Sequence, residues 1–182
     1  AFFLTTNGTL INDEIGEWLI GSGWNVKISF DGPQHIHDAW RVGPEDAKTH
    51  AKVKGMVEWF ARAMPERFSV TGVLCRGSDP AEIFRAIADT GVKKIELVPA
   101  VHHDASVVPS QDDVEKYREF IAEYIDAYAE DKDTTLLVRL ASRVARVLGF
   151  DNCRIHCGAG RSFVCVGPEG KIYPCFRFAG VS

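Results

Sequence analysis

The sequence predicts an α/β fold of alternating strands and helices, followed by a smaller cysteine-bearing segment of different texture. Three observations predict it. Short apolar or alternating runs recur between residues 2 and 98, separated by stretches with helical apolar spacing. The connections between these runs are long enough for parallel pairing, so the units wind into a barrel segment or an open sheet. After Gly149 the helical spacing stops, and four of the five cysteines fall beyond it: Cys153, Cys157, Cys165 and Cys175.

Phe2 to Thr5 reads as a short apolar strand, ended by Thr6-Asn7-Gly8-Thr9. Asn12 or Asp13 caps the next helix, whose Ile15, Trp18 and Leu19, with Leu10, recur at helical spacing until Gly21 and Gly23 stop it. Asn25 to Phe30 is a strand closed by Asp31-Gly32-Pro33. A polar loop then leads to a helix near Asp46 to Ala63, with Val53, Met56, Val57 and Phe60 on one side. Phe68 to Leu74 is a strand, Pro80 to Thr90 a helix with proline in its first turn, and Lys93 to Val98 a strand. That gives four strands separated by three helices.

Two further helices follow, Gln111 to Glu130 and Thr134 to Leu148, the second with Leu137, Leu140, Ala141, Val144 and Leu148 on one stripe. Arg161 to Val166, Pro168-Glu169-Gly170 and Lys171 to Pro174 then read as a hairpin bracketed by cysteines. The expected division is residues 1–110 for the strand-bearing body, 111–150 for linking helices, and 151–182 for the start of another domain, with its boundary near Phe150.

With 182 residues, 46% of them hydrophobic and 25% charged, the chain can bury a sizeable core. A net charge of −4 gives no case for a nucleic-acid partner. The acidic residues concentrate between Gln111 and Asp133, alternating with Phe120, Ile121, Tyr124, Ile125 and Tyr128, the pattern of a solvated helix face. No apolar run reaches the roughly 20 residues of a membrane span, so no membrane partner is expected. The first residues lack a basic leader, and both ends read as cut from a longer chain. Cytoplasmic placement follows as an expectation. Without a secretion signal, and with Cys75 solitary, a metal site or reduced thiols are expected rather than a disulfide framework.

Parallel α/β folds bind ligands at the carboxyl ends of their strands. The polar, glycine- or proline-bearing segments Thr6-Asn7-Gly8-Thr9, Ser29-Phe30-Asp31-Gly32-Pro33 and Val98-Pro99-Ala100-Val101 sit there. Ser29 offers a hydroxyl, and Arg41, twelve residues later, has the reach to fold back and grip a carboxylate with two prongs. The alternative is a plain Asp-Gly-Pro turn with Arg41 as a surface charge. His35/His37 and His102/His103 lack the spacing of a helical zinc pair and read as loop histidines. The cysteine spacing, Cys153-x3-Cys157-x7-Cys165-x9-Cys175, suits zinc, an iron–sulfur cluster, or buried thiols. Cys175 leaves a defined turn and strand, and Cys157 opens a Cys-Gly-Ala-Gly turn. Cys153 and Cys165 are less placeable, and Cys165 suits a core position as well as a ligand. An ordinary barrel hydrolase or aldolase lacks support, since no strand-end lysine or carboxylate pair stands out and Glu96 has no evident partner.

These residues resemble the radical S-adenosylmethionine (SAM) enzymes that carry a SPASM extension, of the peptide- and protein-modifying kind. Thr6-Asn7-Gly8-Thr9-Leu10 is similar to the end of the family's third barrel strand. Ile28 to Pro33 with His37-Asp38 and Arg41 is similar to its fourth strand and loop, and Glu96 to Val101 to its sixth. Cys157, twelve residues, Gly170, four residues, then Cys175 resembles the opening of the SPASM signature. The passage from Cys157 to Cys175 looks especially like the maturases of quinohaemoprotein amine dehydrogenases.

The resemblance implies the later half of a partial (β/α)6 TIM-like barrel and the start of a SPASM domain with its β-hairpin. It implies SAM bound by Ser29 and Arg41, as the matching residues bind it in sulfatase-maturing relatives, with Val101 near the adenosine. Cys157 and Cys175 would ligate an auxiliary [4Fe–4S] cluster. A peptide or protein substrate and a reductant such as flavodoxin or ferredoxin would be the partners. The sequence also departs from the family. Its Cys-x3-Cys-x2-Cys loop and glycine-rich segment are absent from these residues, and the later SPASM cysteines would lie past Ser182. Phe176 follows Cys175 where sulfatase maturases carry aspartate, so no catalytic base is assigned. The fragment alone is expected to be inactive. The competing expectation is a non-catalytic zinc module on an α/β platform, against which the lack of close Cys-x2-Cys pairs counts.

Overall fold

Burial alternates along each long strand, and that alternation sets the architecture. The computed structural model describes residues 2–131, 135–150, 158–161, 164–167, 169–175 and 178. They fall into two units, Ala1–Ala141 and Ser142–Ser182. In the first, β1 (Phe3–Thr6), β2 (Asn25–Ser29), β3 (Phe68–Leu74), β4 (Lys94–Pro99) and β5 (Leu136–Leu137) form one sheet in that order, and every pairing is parallel. Its helices are α1 (Asp13–Gly21), α2 (Gln34–Trp40), α3 (His50–Ala63), α4 (Pro80–Ala88) and α5 (Gln111–Glu130), and α6 (Val138–Val147) begins here.

Val26, Ile28, Phe68, Val70, Ile95 and Leu97 point to one face of the sheet and are all but inaccessible. They pack with Leu19, Val57, Phe60, Ile83, Ile87 and Phe120 from the helices. Lys27, Ser29, Ser69, Thr71, Lys94 and Glu96 occupy the alternate positions and are only half-buried. A parallel sheet covered by helices on both faces would read as continuous apolar runs, so this polar face is kept for something other than the core.

The expected α/β class holds, with differences in detail. The stretch expected to be a polar loop before Arg41 contains α2, which Pro33 opens at φ −59°. Its buried side chains are His37 and Asp38, so no apolar period announces it. The next helix starts at His50 rather than Asp46, because residues 44–46 form a tight turn with Glu45 and Asp46 at φ 56° and 58°. The helix expected from Thr134 is preceded by β5, whose Leu136 and Leu137 pair with Lys94 and Ile95. The Leu137 N–H donates to the Tyr124 hydroxyl at 2.9 Å, which fixes the strand against α5. In α1, Asn12 is the cap and Leu19 is buried, while Trp18 and Leu10 are exposed.

The second unit contains the expected hairpin. In it β6 (Cys165–Val166) pairs antiparallel with β7 (Ile172–Tyr173), and Gly170 at φ 78° permits the reversal between them. Among the described residues no helix is long and apolar enough to cross a membrane.

Gly32 shows how tightly the first unit is packed at the strand ends. Its φ is +76°, and a Cβ placed there would lie 2.9 Å from the Ile83 carbonyl oxygen on α4. Gly77 has the same φ but open space around it. Gly32→Ala is therefore expected to cost more than about 1 kcal/mol of stability, and distinctly more than Gly77→Ala. Urea midpoints for the two variants provide the comparison.

Candidate functional site

The strand ends converge on Asp31, two residues past β2. Asp31 is 2% exposed. Its carboxylate accepts the Val73 N–H of β3 at 2.9 Å, and Arg41 donates to it twice, from Nε at 2.6 Å and from Nη2 at 3.0 Å. The two-pronged grip expected of Arg41 therefore exists, and its first partner is the chain's own carboxylate. Sequence reasoning left Asp31 as a turn residue. The signal was there in principle, since an aspartate and an arginine ten residues apart flank a proline-initiated helix, but only burial makes the pair obligatory.

A second set of bonds fixes the main chain beside this pair. The Asp31 N–H donates to His37 Nδ1 at 3.3 Å, so Nε2 carries the proton and donates to the Thr49 hydroxyl at 3.1 Å. That hydroxyl donates to the Arg41 carbonyl at 2.5 Å. His37 is fully buried against Phe30 and His50, and that burial pushes its pKa down to about 4, aided by the nearby Arg41 charge and opposed by Asp31. It is a neutral strut, not a loop histidine. Asp38 accepts the Thr49 and His50 N–H groups at 3.0 and 2.9 Å and so caps α3. Burial alone would raise the Asp38 pKa, but these bonds, with Gln34, hold its carboxyl below the ordinary value.

Arg41 itself is not sealed. Its side chain is 24% exposed and lines a cavity of about 280 Å³ with Asn7, Thr9, His37, Trp40 and Thr49. A guanidinium has five N–H donors, and Asp31 takes two. Among the described residues nothing takes the remaining edge, which faces the cavity. Asn7 and Thr9 come from the end of β1, where the Thr9 N–H and hydroxyl both donate to Asn7 Oδ1.

Ser29, the last residue of β2, lies on the polar face of the sheet, with Thr71 as its register partner and Glu96 next in the row. The buried Thr71 hydroxyl has no hydrogen-bond partner among the described residues. Glu96 is not partnerless, as had been expected. Lys27 Nζ approaches it at 2.6 Å and Arg139 Nε at 3.4 Å. Those partners lie 69 and 43 positions away in sequence, which is why spacing could not reveal them.

Val101 sits on the loop after β4, 79% exposed, and does not line the Arg41 cavity. Cys175 is buried just after β7, and Cys165 is half-buried in β6. Cys157 and Cys153 lie outside the described residues. Among the described residues no group of three or more His, Cys, Asp or Glu could hold a metal.

No family model matches the chain. It is 29% identical over 111 residues to a serine-type anaerobic sulfatase-maturating enzyme of Bacteroides thetaiotaomicron, covering 57% of this chain and 25% of that protein. It is 23% identical over 187 residues to the cysteine-type anaerobic sulfatase-maturating enzyme of Clostridium perfringens, covering 94% of this chain and 49% of that one. Among solved structures, anSMEcpe with bound AdoMet matches at TM-score 0.79 and 18% identity, over 96% of this chain and 50% of its own. Streptococcus suis SuiB bound to the precursor peptide SuiA matches at TM-score 0.61 and 14% identity, over 99% and 43%. The chain thus spans half or less of the length of these relatives. The resemblance to radical SAM enzymes of the peptide-modifying kind, and the parallel α/β fold it implied, are borne out.

His37 gives the site a pH dependence. Its folded pKa is about 4, below the unfolded value of 6.5, so the unfolded chain binds the extra proton first as pH falls. Stability is expected to decline as pH drops from about 6.5 towards 4. His37→Gln, which can accept from Asp31 and donate to Thr49 without titrating, should flatten that slope. Urea unfolding of both proteins at pH 7 and pH 5 reads the difference. Parallel slopes would show that His37 already carries a proton when folded.

Proposed function

We propose that this chain is the later part of a radical SAM enzyme acting on a peptide or protein, and that the ends of β1 and β2 hold the polar end of SAM. The observation that carries the reading is the preset Arg41. Its guanidinium is fixed on one edge by buried Asp31 and opens on the other into a cavity. That edge suits the SAM carboxylate, and the Ser29 hydroxyl at the end of β2 offers a further contact on the polar face of the sheet. The buried, unpartnered Thr71 hydroxyl beside Ser29 also suits a polar ligand on that face. SAM, when bound to a reduced iron–sulfur cluster, supplies a deoxyadenosyl radical able to take a hydrogen atom from a substrate side chain.

Arg41 and Ser29 bind and orient, the loop from Asp31 to Thr49 shields the Asp31 carboxylate from water, and the polar face of β2 to β4 lines the approach. The ligands of the SAM-cleaving cluster are not in this stretch, because it lacks the Cys-x3-Cys-x2-Cys spacing. Cys157 and Cys175 would hold an auxiliary [4Fe–4S] cluster, and the burial of Cys175, two residues after β7, suits a thiolate ligand shielded from water. Val101 would approach the adenosine only if its loop turns inward. A flavodoxin or ferredoxin would deliver the electron, and a cytoplasmic setting suits oxygen-sensitive chemistry. The sulfatase-maturating relatives make a protein side chain the natural substrate class.

Two measurements test this reading. The parent protein, purified without oxygen and reduced, should convert SAM to 5′-deoxyadenosine and methionine. Arg41→Ala should weaken SAM binding by about tenfold to a hundredfold, the worth of a charge-assisted hydrogen bond. These 182 residues alone, carried through the same reconstitution, should form none. SAM turnover unchanged in the Arg41 variant would dismiss the assigned site. Iron and acid-labile sulfide in equal amounts, reduced in a Cys157→Ala/Cys175→Ala variant, are expected in the parent. Zinc without sulfide would instead establish a structural metal module.

A further inference from the structure

Asp31 and Arg41 together carry no net charge, and that fact reaches beyond the fold. The cavity onto which Arg41 opens is lined by Asn7, Thr9, His37, Trp40 and Thr49, with Val42, Gly43 and Pro44 completing it, and among the described residues Arg41 is its one formally charged lining group. His37 is neutral, held by the Asp31 N–H and the Thr49 hydroxyl. A lone arginine at the mouth of such a cavity would attract any small anion, phosphate and sulfate included, by its bare charge. Here the charge is already answered at 2.6 Å by a carboxylate that is itself 2% exposed. What remains for a ligand is the direction of the outer N–H groups, not a net positive field.

We infer that Asp31 is a positioning and charge-setting residue. It fixes the outer edge of Arg41 and cancels its charge, so that the cavity takes a singly charged or zwitterionic carboxylate and rejects inorganic dianions. The choice of carboxylate as ligand rests on the reading of Arg41 given above. The charge-setting role does not.

The geometry supports a device held from both ends. Val73 on β3 donates to Asp31 Oδ1 at 2.9 Å and prevents the carboxylate from following its partner outward. The Thr49 hydroxyl holds the Arg41 carbonyl, so the backbone that carries the arginine is pinned as well. A dianion entering this cavity would lose two charges' worth of hydration and meet a neutral pair in return, which is unfavourable. A carboxylate gives up less and matches the fork of the guanidinium.

Trp40 lines the same cavity and supplies a reporter. In the 182-residue chain, sodium sulfate should leave the Trp40 emission where sodium chloride of equal ionic strength leaves it, with Trp40→Phe identifying the signal. Asp31→Asn, nearly isosteric, exposes the unanswered guanidinium. It should bind sulfate saturably and at least about tenfold more tightly than the native chain. A folded Asp31→Asn chain that ignores sulfate, or a native chain that binds it as tightly, would overturn the inference.

If Asp31→Asn does not fold, the native chain decides alone. Its Arg41 Nε–H, identified in nitrogen-15 spectra by its loss in Arg41→Lys, should exchange slowly with solvent, and sulfate should not shift it. Exchange at the free rate, or a saturable shift on adding sulfate, would refute the presetting. Neither probe involves SAM, so failure to bind SAM would remove the ligand assignment while leaving these outcomes to judge Asp31.

Discussion

A single buried carboxylate ties together the segments at the carboxyl ends of β2 and β3 and the end of α2. Asp31 leaves the end of β2, accepts a main-chain N–H from β3, and receives both prongs of Arg41 from the end of α2. Removing a carboxylate from water is costly unless it is well bonded, and here three bonds arrive from two separate segments, β3 and the end of α2. None of the three can shift without leaving an uncompensated charge. The loop from Gly32 to Thr49 is therefore held to the sheet by polar contacts rather than by apolar area. Its own apolar contribution is small, which is why His37 and Asp38, not leucines, occupy its buried positions.

The sheet itself divides its labour by face. One set of alternate residues, from Val26 to Leu97, forms the core with the helices, and the other carries hydroxyls and charges. Ser29, Thr71 and Glu96 lie in one register row across β2, β3 and β4. Glu96 is steadied by Lys27 from the same face and by Arg139 at the start of α6. Such pairs add little stability where they are partly solvated, but they fix which way a carboxylate points.

The similarity to sulfatase-maturating enzymes and the physical reading of the site converge on the same few segments. The strand ends at Asn7, Ser29 and Asp31 carried the resemblance; of these Asn7 lines the Arg41 cavity, Asp31 anchors Arg41, and Ser29 lies apart on the polar face of the sheet. The metal-related half of the resemblance rests on the cysteine spacing, where Cys175 is buried just after β7 while Cys157 lies outside the described residues.

The sequence by itself determined the elements whose signals are local. The strand at Phe68–Leu74 and the helix at Gln111–Glu130 fall where their periods place them, because alternation, capping and a run of helix formers act within a few residues. Ser29 and Arg41 were legible as candidates for the same reason, a strand end and a return loop at a defined distance. Tertiary structure decided the rest. The helix at Gln34–Trp40 carries no apolar stripe, so only its packing of His37 and Asp38 reveals it. The short strand at Leu136–Leu137 exists because β4 and Tyr124 offer it partners, where its own residues suit a helix. The roles of Asp31 and Glu96 depend on charges ten to 69 positions away, and such pairs become visible only when folding removes the water between them.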